Sequence, residues 1–269
     1  MKNKIIYIEL CIILCVFTFC VMKLNGNLIE STIVTNSTVL SNKKIGWGIK
    51  RADNHEQPDL GSSNFKLLQD YNGIAMGNNN DKCVYLSFDN GYEAGYTSKI
   101  LDVLKENDVK AIFFITAHYL NTAPDLVERM INDGHIIGNH TVNHKSMPDL
   151  SEDEMKKEMM ELHQVIYEKF NYEMKYIRPP KGEFSERTLD ITSSLGYKTV
   201  MWSFAYEDWN EDKQPNEEKA KEKILNNLHN GEIMLLHGNS KTNTNILDSI
   251  IKEAKNMGYE FKSLDEFVK

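Results

Sequence analysis

The run Cys83-Val84-Tyr85-Leu86-Ser87-Phe88-Asp89-Asn90-Gly91 decides the fold. A short run of β formers that stops at Asp-Asn-Gly reads as a buried strand ending in a polar turn. The same character recurs in Ala111–Thr116, His135–Asn139, Lys175–Ile177, Tyr197–Trp202, Glu232–Leu236 and Tyr259–Phe261. Helical patterns lie between them, at Gly95–Glu106, Ala123–Asp133, Glu152–Phe170, Ser185–Leu195, Asn216–Leu228 and Asn245–Met257. Ser151 followed by Glu154 predicts a capping box. Gly134, Gly196, Gly231 and Gly258 fall where helices should stop. Strands alternating with helices predict an α/β protein with a parallel sheet or barrel.

Such folds place their sites at the C-terminal ends of strands. Reading just past each strand collects Ser87-Phe88-Asp89-Asn90-Gly91, His140-Thr141-Val142-Asn143-His144, Arg178-Pro179-Pro180-Lys181-Gly182, Trp202 with Asp208-Trp209, and Leu235-Leu236-His237. His140 and His144 are four apart, so a helical turn would aim both imidazoles at one cation. Asp89 and Asn90 add oxygen donors and leave coordination positions open for chemistry. Each residue has a plainer reading alone: Asp89 as a helix cap, His237 as a core histidine, Arg178 as an ion-pair partner, Asp208 and Trp209 as loop residues. Their collection on one rim favours a site. His55, His118, His135, His163 and His229 are assigned to structure or surface. Ser87 and Ser203 lack a nucleophile-elbow context, which argues against a serine hydrolase.

The remaining signals set bounds. A chain of 269 residues with 41% apolar and 26% charged residues can bury a full core without staples. The net charge of -8 argues against nucleic acid and gives no long-range pull on an anionic wall polymer. Recognition of such a polymer must come from local groups in a groove. Cys11, Cys15 and Cys20 sit in the first apolar segment and Cys83 is alone beyond it, which excludes an intramolecular disulfide framework there. Cys83 reads as a core thiol. Lys2 and Lys4 precede an apolar run from Ile5 to Met22, the pattern of a signal peptide or an uncleaved anchor. The lack of a small-x-small cleavage site favours the anchor. The expected organisation is signal or anchor 1–24, linker 25–44, ordered lead-in 45–81 and a main domain 82–269.

The five segments, in this order, resemble the motifs of the polysaccharide deacetylase family, the NodB-homology domain of carbohydrate esterase family 4. The resemblance implies a distorted (β/α)7 barrel. It also implies roles: Asp89 as general base, His237 as general acid, Arg178 and Asp208 as their supports. Asn90, His140 and His144 would hold a divalent cation, zinc by expectation. Tyr92, Pro180, Trp202 and Trp209 would contact substrate. Gly46-Trp47-Gly48, Ser87–Glu93, Gly138-Asn139-His140 and Gly258–Asp265 are similar to the delta-lactam-biosynthetic de-N-acetylases of spore-formers, although Ile45 stands where that subfamily has an aromatic. This implies acetyl removal from N-acetylmuramic acid on peptide-stripped glycan, outside the cytoplasmic membrane. The expected partner is a peptidoglycan glycan strand, with membrane contact through the N-terminal segment only and a monomeric protein. Asn90 replaces the family's usual second aspartate, and a neutral amide predicts weak metal retention. An N-acetylglucosamine deacetylase and an inactive wall-binding module stay open as alternatives. A cytoplasmic metal hydrolase is opposed by the N-terminal apolar run.

Overall fold

The computed structural model describes residues 39–267. The expected signal or anchor, and the linker up to residue 38, lie outside the described residues. Among the described residues no helix is long and apolar enough to cross a membrane.

The strands are β1 (Ile45–Gly46), β2 (Cys83–Asn90), β3 (Ile112–Ile115), β4 (Ile136–Asn139), β5 (Tyr176–Ile177), β6 (Glu183–Phe184), β7 (Lys198–Thr199), β8 (Glu232–His237) and β9 (Glu260–Phe261). Seven of them form one sheet in the order β7-β5-β4-β3-β2-β8, with β9 beside the start of β2. Every pairing in that sheet is parallel. The helices are α1 (Ser62–Asp70), α2 (Thr97–Glu106), α3 (Ala117–Thr122), α4 (Pro124–Asn132), α5 (Glu152–Phe170), α6 (Glu186–Ser194), α7 (Glu217–Asn226) and α8 (Lys241–Asn256). The expected Ser151–Glu154 capping box opens α5.

The barrel is distorted because its closure is irregular. The predicted strand Tyr197–Trp202 pairs regularly only at Lys198–Thr199. Beyond it the chain crosses the gap to β8, where Ser203 N–H donates to Ile233 O and Leu235 N–H to Phe204 O. Ile74 braces the same gap, donating to Thr199 O and accepting from Met201 N–H. The curl therefore needs single bridges where a regular barrel would need another strand.

Both faces of β2 are buried, and alternation sorts them. Val84, Leu86 and Phe88 pack with Leu101, Leu104 and Ile250 in the helix-facing core. Cys83 and Tyr85 pack with Phe114, Val200 and Ile233 inside the curl. Each such fully buried side chain contributes on the order of 2 kcal/mol. The same alternation aims Ser87 and Asp89 inward, at the barrel mouth.

The lead-in belongs to the same compact unit as the barrel. Trp47, Leu60 and Leu68 pack against Phe184, Leu189 and Met201, and β1 pairs antiparallel with β6. The last residues of the expected linker are seated too: Ser41 N–H donates to Glu186 and Asn42 to Pro148 O.

Candidate active site

The register across the sheet builds the site. Asp89 lies opposite Phe114 of β3 on one side and His237 of β8 on the other. Phe114 in turn faces Gly138 of β4. A Cβ on Gly138 would come within 2.4 Å of the Phe114 ring, so glycine lets that ring lie flat. Over it passes the guanidinium of Arg178, 4.2 Å from the ring centroid. Arg178 follows β5 and thus reaches across two strands. Its Nη1 donates to Asp89 Oδ1 at 2.7 Å, Nη2 to Ser87 Oγ at 2.9 Å and Nε to Val200 O at 3.2 Å. Arg178 is fully buried. Burial of the Asp89 carboxyl opposes ionisation, but Arg178, His140 and His237 outweigh it and hold its pKa below the ordinary value.

Across the strand boundary the polarity reverses. Asp208 is buried, accepting from His237 N–H at 2.9 Å and from His237 Nδ1 at 2.7 Å. Asn243 Nδ2 also donates to Asp208, and Tyr206 OH donates to Asn243 Oδ1. Burial of the imidazole opposes protonation, yet Asp208, then Asp89, outweighs it and raises the His237 pKa. Nδ1 is committed to Asp208, so Nε2 is the atom left for substrate.

His140 and His144 converge without a helix. Thr141 and His144 both take left-handed backbone, at φ 67° and 54°. The turn is held by its own side chains: Thr141 Oγ1 accepts His144 N–H, and Glu158 accepts both the N–H and Nδ2 of Asn143. The Nε2 atoms end 3.2 Å apart. A strained loop, not a helical turn, is what brings this pair together. His140 Nδ1 faces Arg178 O at 2.8 Å, and a carbonyl only accepts, so Nδ1 carries the proton. Burial keeps both rings neutral, pushing His144 down to about 4.

These groups open on a groove of about 850 Å³ lined by Asp89, Tyr92, His140, His144, Trp202, Trp209 and His237, among others. Trp209 lies beside His237, with centroids 5.5 Å apart and ring planes tilted by 57°, and is half exposed. Asn239 ties the rim by donating to Tyr92 OH and Trp209 O.

A family model for polysaccharide deacetylases matches residues 76–200. An uncharacterized 30.6 kDa protein of Geobacillus stearothermophilus is 48% identical over 233 residues, 86% of this chain and 88% of that protein. The peptidoglycan-N-acetylmuramic acid deacetylase PdaA of Bacillus subtilis is 41% identical over 228 residues, 84% of this chain and 87% of that protein. The solved structure of Bacillus subtilis PdaA, a family 4 carbohydrate esterase, matches with a TM-score of 0.82 and 41% identity, covering 85% of this chain and 98% of that one.

The chain belongs to the polysaccharide deacetylase family.

As a deacetylase it departs from its sequence-based expectation at several residues. Asn90 is buried on the helix-facing side of β2, donating through Nδ2 to Thr97 Oγ1 of α2 at 3.3 Å, while its Oδ1 has no partner. Pro180 is buried and does not line the groove; Lys181 and Gly182 do. His118, assigned to structure or surface, is exposed and lines the groove. It follows β3 directly, so the strand-end reading could have found it. Asn243, Tyr206 and Asn239 were not anticipated.

The site's chemistry suits a divalent cation. The bare Nε2 of His140 faces Asp89 Oδ2 at 3.5 Å as well as His144 Nε2. A neutral His144 can donate its Nε2 proton to His140, and a divalent cation would replace that proton between the two nitrogens, beside Asp89 Oδ2. The Arg178 carbonyl fixes the His140 tautomer, a usual support for a metal-binding imidazole. Among the described residues no group of three or more His, Cys, Asp and Glu is arranged to hold a metal. Asn90 Oδ1, the expected amide donor, is a buried acceptor left without a bond, but it lies on the face of β2 opposite Asp89 and outside the groove lining, so the groove itself offers His140 and His144.

Proposed function

We propose that the chain hydrolyses the acetamido group of N-acetylmuramic acid in peptidoglycan, on glycan stripped of peptide. The observation that carries this is the placement of Asp89 and His237 in register on adjacent parallel strands, each paired with the opposite charge. Relationship to PdaA, a peptidoglycan-N-acetylmuramic acid deacetylase, supports the sugar.

Amide hydrolysis needs a base for the attacking water and an acid for the leaving amine. Asp89 Oδ1 is taken by Arg178, so Oδ2 accepts the water proton. His237, held protonated by Asp208, gives its Nε2 proton to the departing nitrogen. Asp89 is thus kept proton-free and His237 proton-loaded at one pH. The aromatic rim of Tyr92, Trp202 and Trp209 suits the apolar faces of sugar rings. A divalent cation, zinc by expectation, would be held by His140 and His144, and weakly, because the neutral Asn90 that replaces the usual carboxylate is turned toward α2 rather than into the groove. When bound it polarises the acetyl carbonyl. The freed C2 amine then neighbours the lactyl carboxyl, and their condensation gives muramic delta-lactam of the spore cortex. The N-terminal segment would place this work outside the cytoplasmic membrane, and the protein would act as a monomer.

The test is acetate release from peptide-free and peptide-bearing glycan, with mass spectrometry of cortex muropeptides made with and without the protein. Acetate from peptide-free glycan and protein-dependent lactam are expected. Acetate only from N-acetylglucosamine residues would overturn the muramic reading, and no acetate from His237→Ala is required.

A further inference from the structure

Lys181 occupies backbone that lysine seldom adopts, φ 61° and ψ 6°, inside the short turn Pro180–Gly182. The conformation is imposed from outside the turn. Trp47 N–H of the lead-in donates to Gly182 O at 2.8 Å, Trp47 Nε1 to Trp202 O at 2.9 Å, and Gly182 N–H to Pro179 O at 3.1 Å. Immediately after the turn, β6 is pinned by β1. The lead-in therefore holds a strained turn whose side chain at position 181 lines the groove.

That side chain is exposed and forms none of the ion pairs or hydrogen bonds described for residues 39–267. Asp149, which feels its charge, is directly paired with Lys44 at 2.5 Å, and Lys44 also faces Glu183 at 3.6 Å. The other charges of the groove are compensated from within: Asp89 by Arg178 and His237 by Asp208. Lys181 is thus a groove cation with no direct ion-pair partner among the described residues, in a protein with net charge -8. It lines the groove together with His140 and His144.

We propose that Lys181 determines substrate choice by receiving the lactyl carboxylate of peptide-free N-acetylmuramic acid. This rests on the deacetylase reading above. The lactyl ether on C3 neighbours the C2 acetamido group, so a carboxylate there lies within reach of a lysine beside the reacting group. N-acetylglucosamine carries a hydroxyl at C3, and a stem peptide converts the carboxylate to an amide. Neither offers the charge. The long-range field repels an anionic glycan, so a local cation must supply the attraction.

The experiment measures kcat/KM of the full chain on peptide-free glycan and on the same glycan with its lactyl carboxyls amidated. In parallel, tryptophan fluorescence follows binding of an N-acetylglucosamine–N-acetylmuramic acid disaccharide and of chitobiose. The wild type should prefer the free carboxylate. Lys181→Met and Lys181→Asn should cut that preference about tenfold, roughly 1.4 kcal/mol, mainly through KM, and Lys181→Arg should restore it. Asparagine tolerates the left-handed backbone, so it separates lost charge from altered turn geometry. Added salt should weaken the wild-type preference. An unchanged preference in both neutral variants overturns the proposal while leaving deacetylation standing. Wild type releasing no acetate from any glycan overturns the deacetylase reading, and the disaccharide-to-chitobiose binding ratio then decides Lys181 alone.

Discussion

Replacing Asp208 with asparagine changes one atom and should disable the acid half of the site. Asp208 Oδ2 accepts from His237 N–H and Asn243, while Oδ1 accepts from His237 Nδ1. An asparagine keeps its oxygen where two N–H groups require it, which turns its Nδ2 donor toward His237 Nδ1. That nitrogen must then shed its proton, so the ring becomes a neutral imidazole with the proton on Nε2. A hydrogen bond to a charged group is worth about 1.5–3 kcal/mol, and a pKa unit corresponds to about 1.4 kcal/mol. The His237 pKa should fall by about one to two units. Its raised value in the fold keeps the acid loaded until pH climbs through it, so the alkaline limb of kcat should move to lower pH in Asp208→Asn. General-acid loss predicts a fall in kcat of about 10²–10⁴ at neutral pH. The assay is acetate release across pH, with His237 followed independently by NMR titration. An alkaline limb that stays in place, with kcat reduced by less than about threefold, refutes the reasoning.

Arg178→Ala strands Asp89 in a buried site without its cation. Burial then dominates, the carboxyl pKa rises, and the acid limb of the rate profile should move to higher pH. The lowered pKa of Asp89 stabilises the fold above its unfolded value and is lost as pH falls; Arg178→Ala should remove that term and cost about 3–5 kcal/mol in urea unfolding. Arg178→Lys should not rescue, since one ammonium cannot serve Asp89, Ser87 and Val200 together. Asn90→Asp should retain more metal after dialysis than the parent, and equal metal content in both would sink the weak-donor argument. Gly182→Ala puts a Cβ 2.6 Å from the Trp202 ring at φ 65°, so Tm should fall by the equivalent of more than about 1 kcal/mol and KM should rise.

Much of this was legible because strand ends and motif order are one-dimensional. The run from Cys83 shows its strand in its composition and its stop in Asp89-Asn90-Gly91, and the later strands repeat the pattern. What local sequence hides is convergence across the chain. Two left-handed residues, one of them a β-branched threonine, bring His140 to His144, and nothing local forecasts them. Helix α1 was missed because Gly61 gives no side-chain cap and its first turn has no acid. Asn243 was missed through a boundary: the helix was expected from Asn245 but starts at Lys241, which puts Asn243 in its first turn beside Asp208. The chemistry of the lead-in was unreadable because Trp47 acts through backbone contacts with Gly182 and Trp202, more than a hundred residues away.

The two halves of the site share one physical device, and the sheet explains why it works. Parallel neighbours sit about 4.8 Å apart, so residues in register such as Asp89 and His237 flank a single amide. Left alone, a carboxylate and an imidazole at that spacing would share a proton and neither would be reliably ready. Arg178 enters from the β4 side over Phe114 and binds the face of Asp89 turned away from His237. Asp208 enters from the connection between β7 and α7 and binds His237 through Nδ1. Each support approaches from outside the pair, so it fixes one proton state and leaves Asp89 Oδ2 and His237 Nε2 free for substrate. In the proposed mechanism the proton handling is therefore complete in the chain's own side chains, and Asn90, turned toward α2, bears only on how firmly a cation would be held.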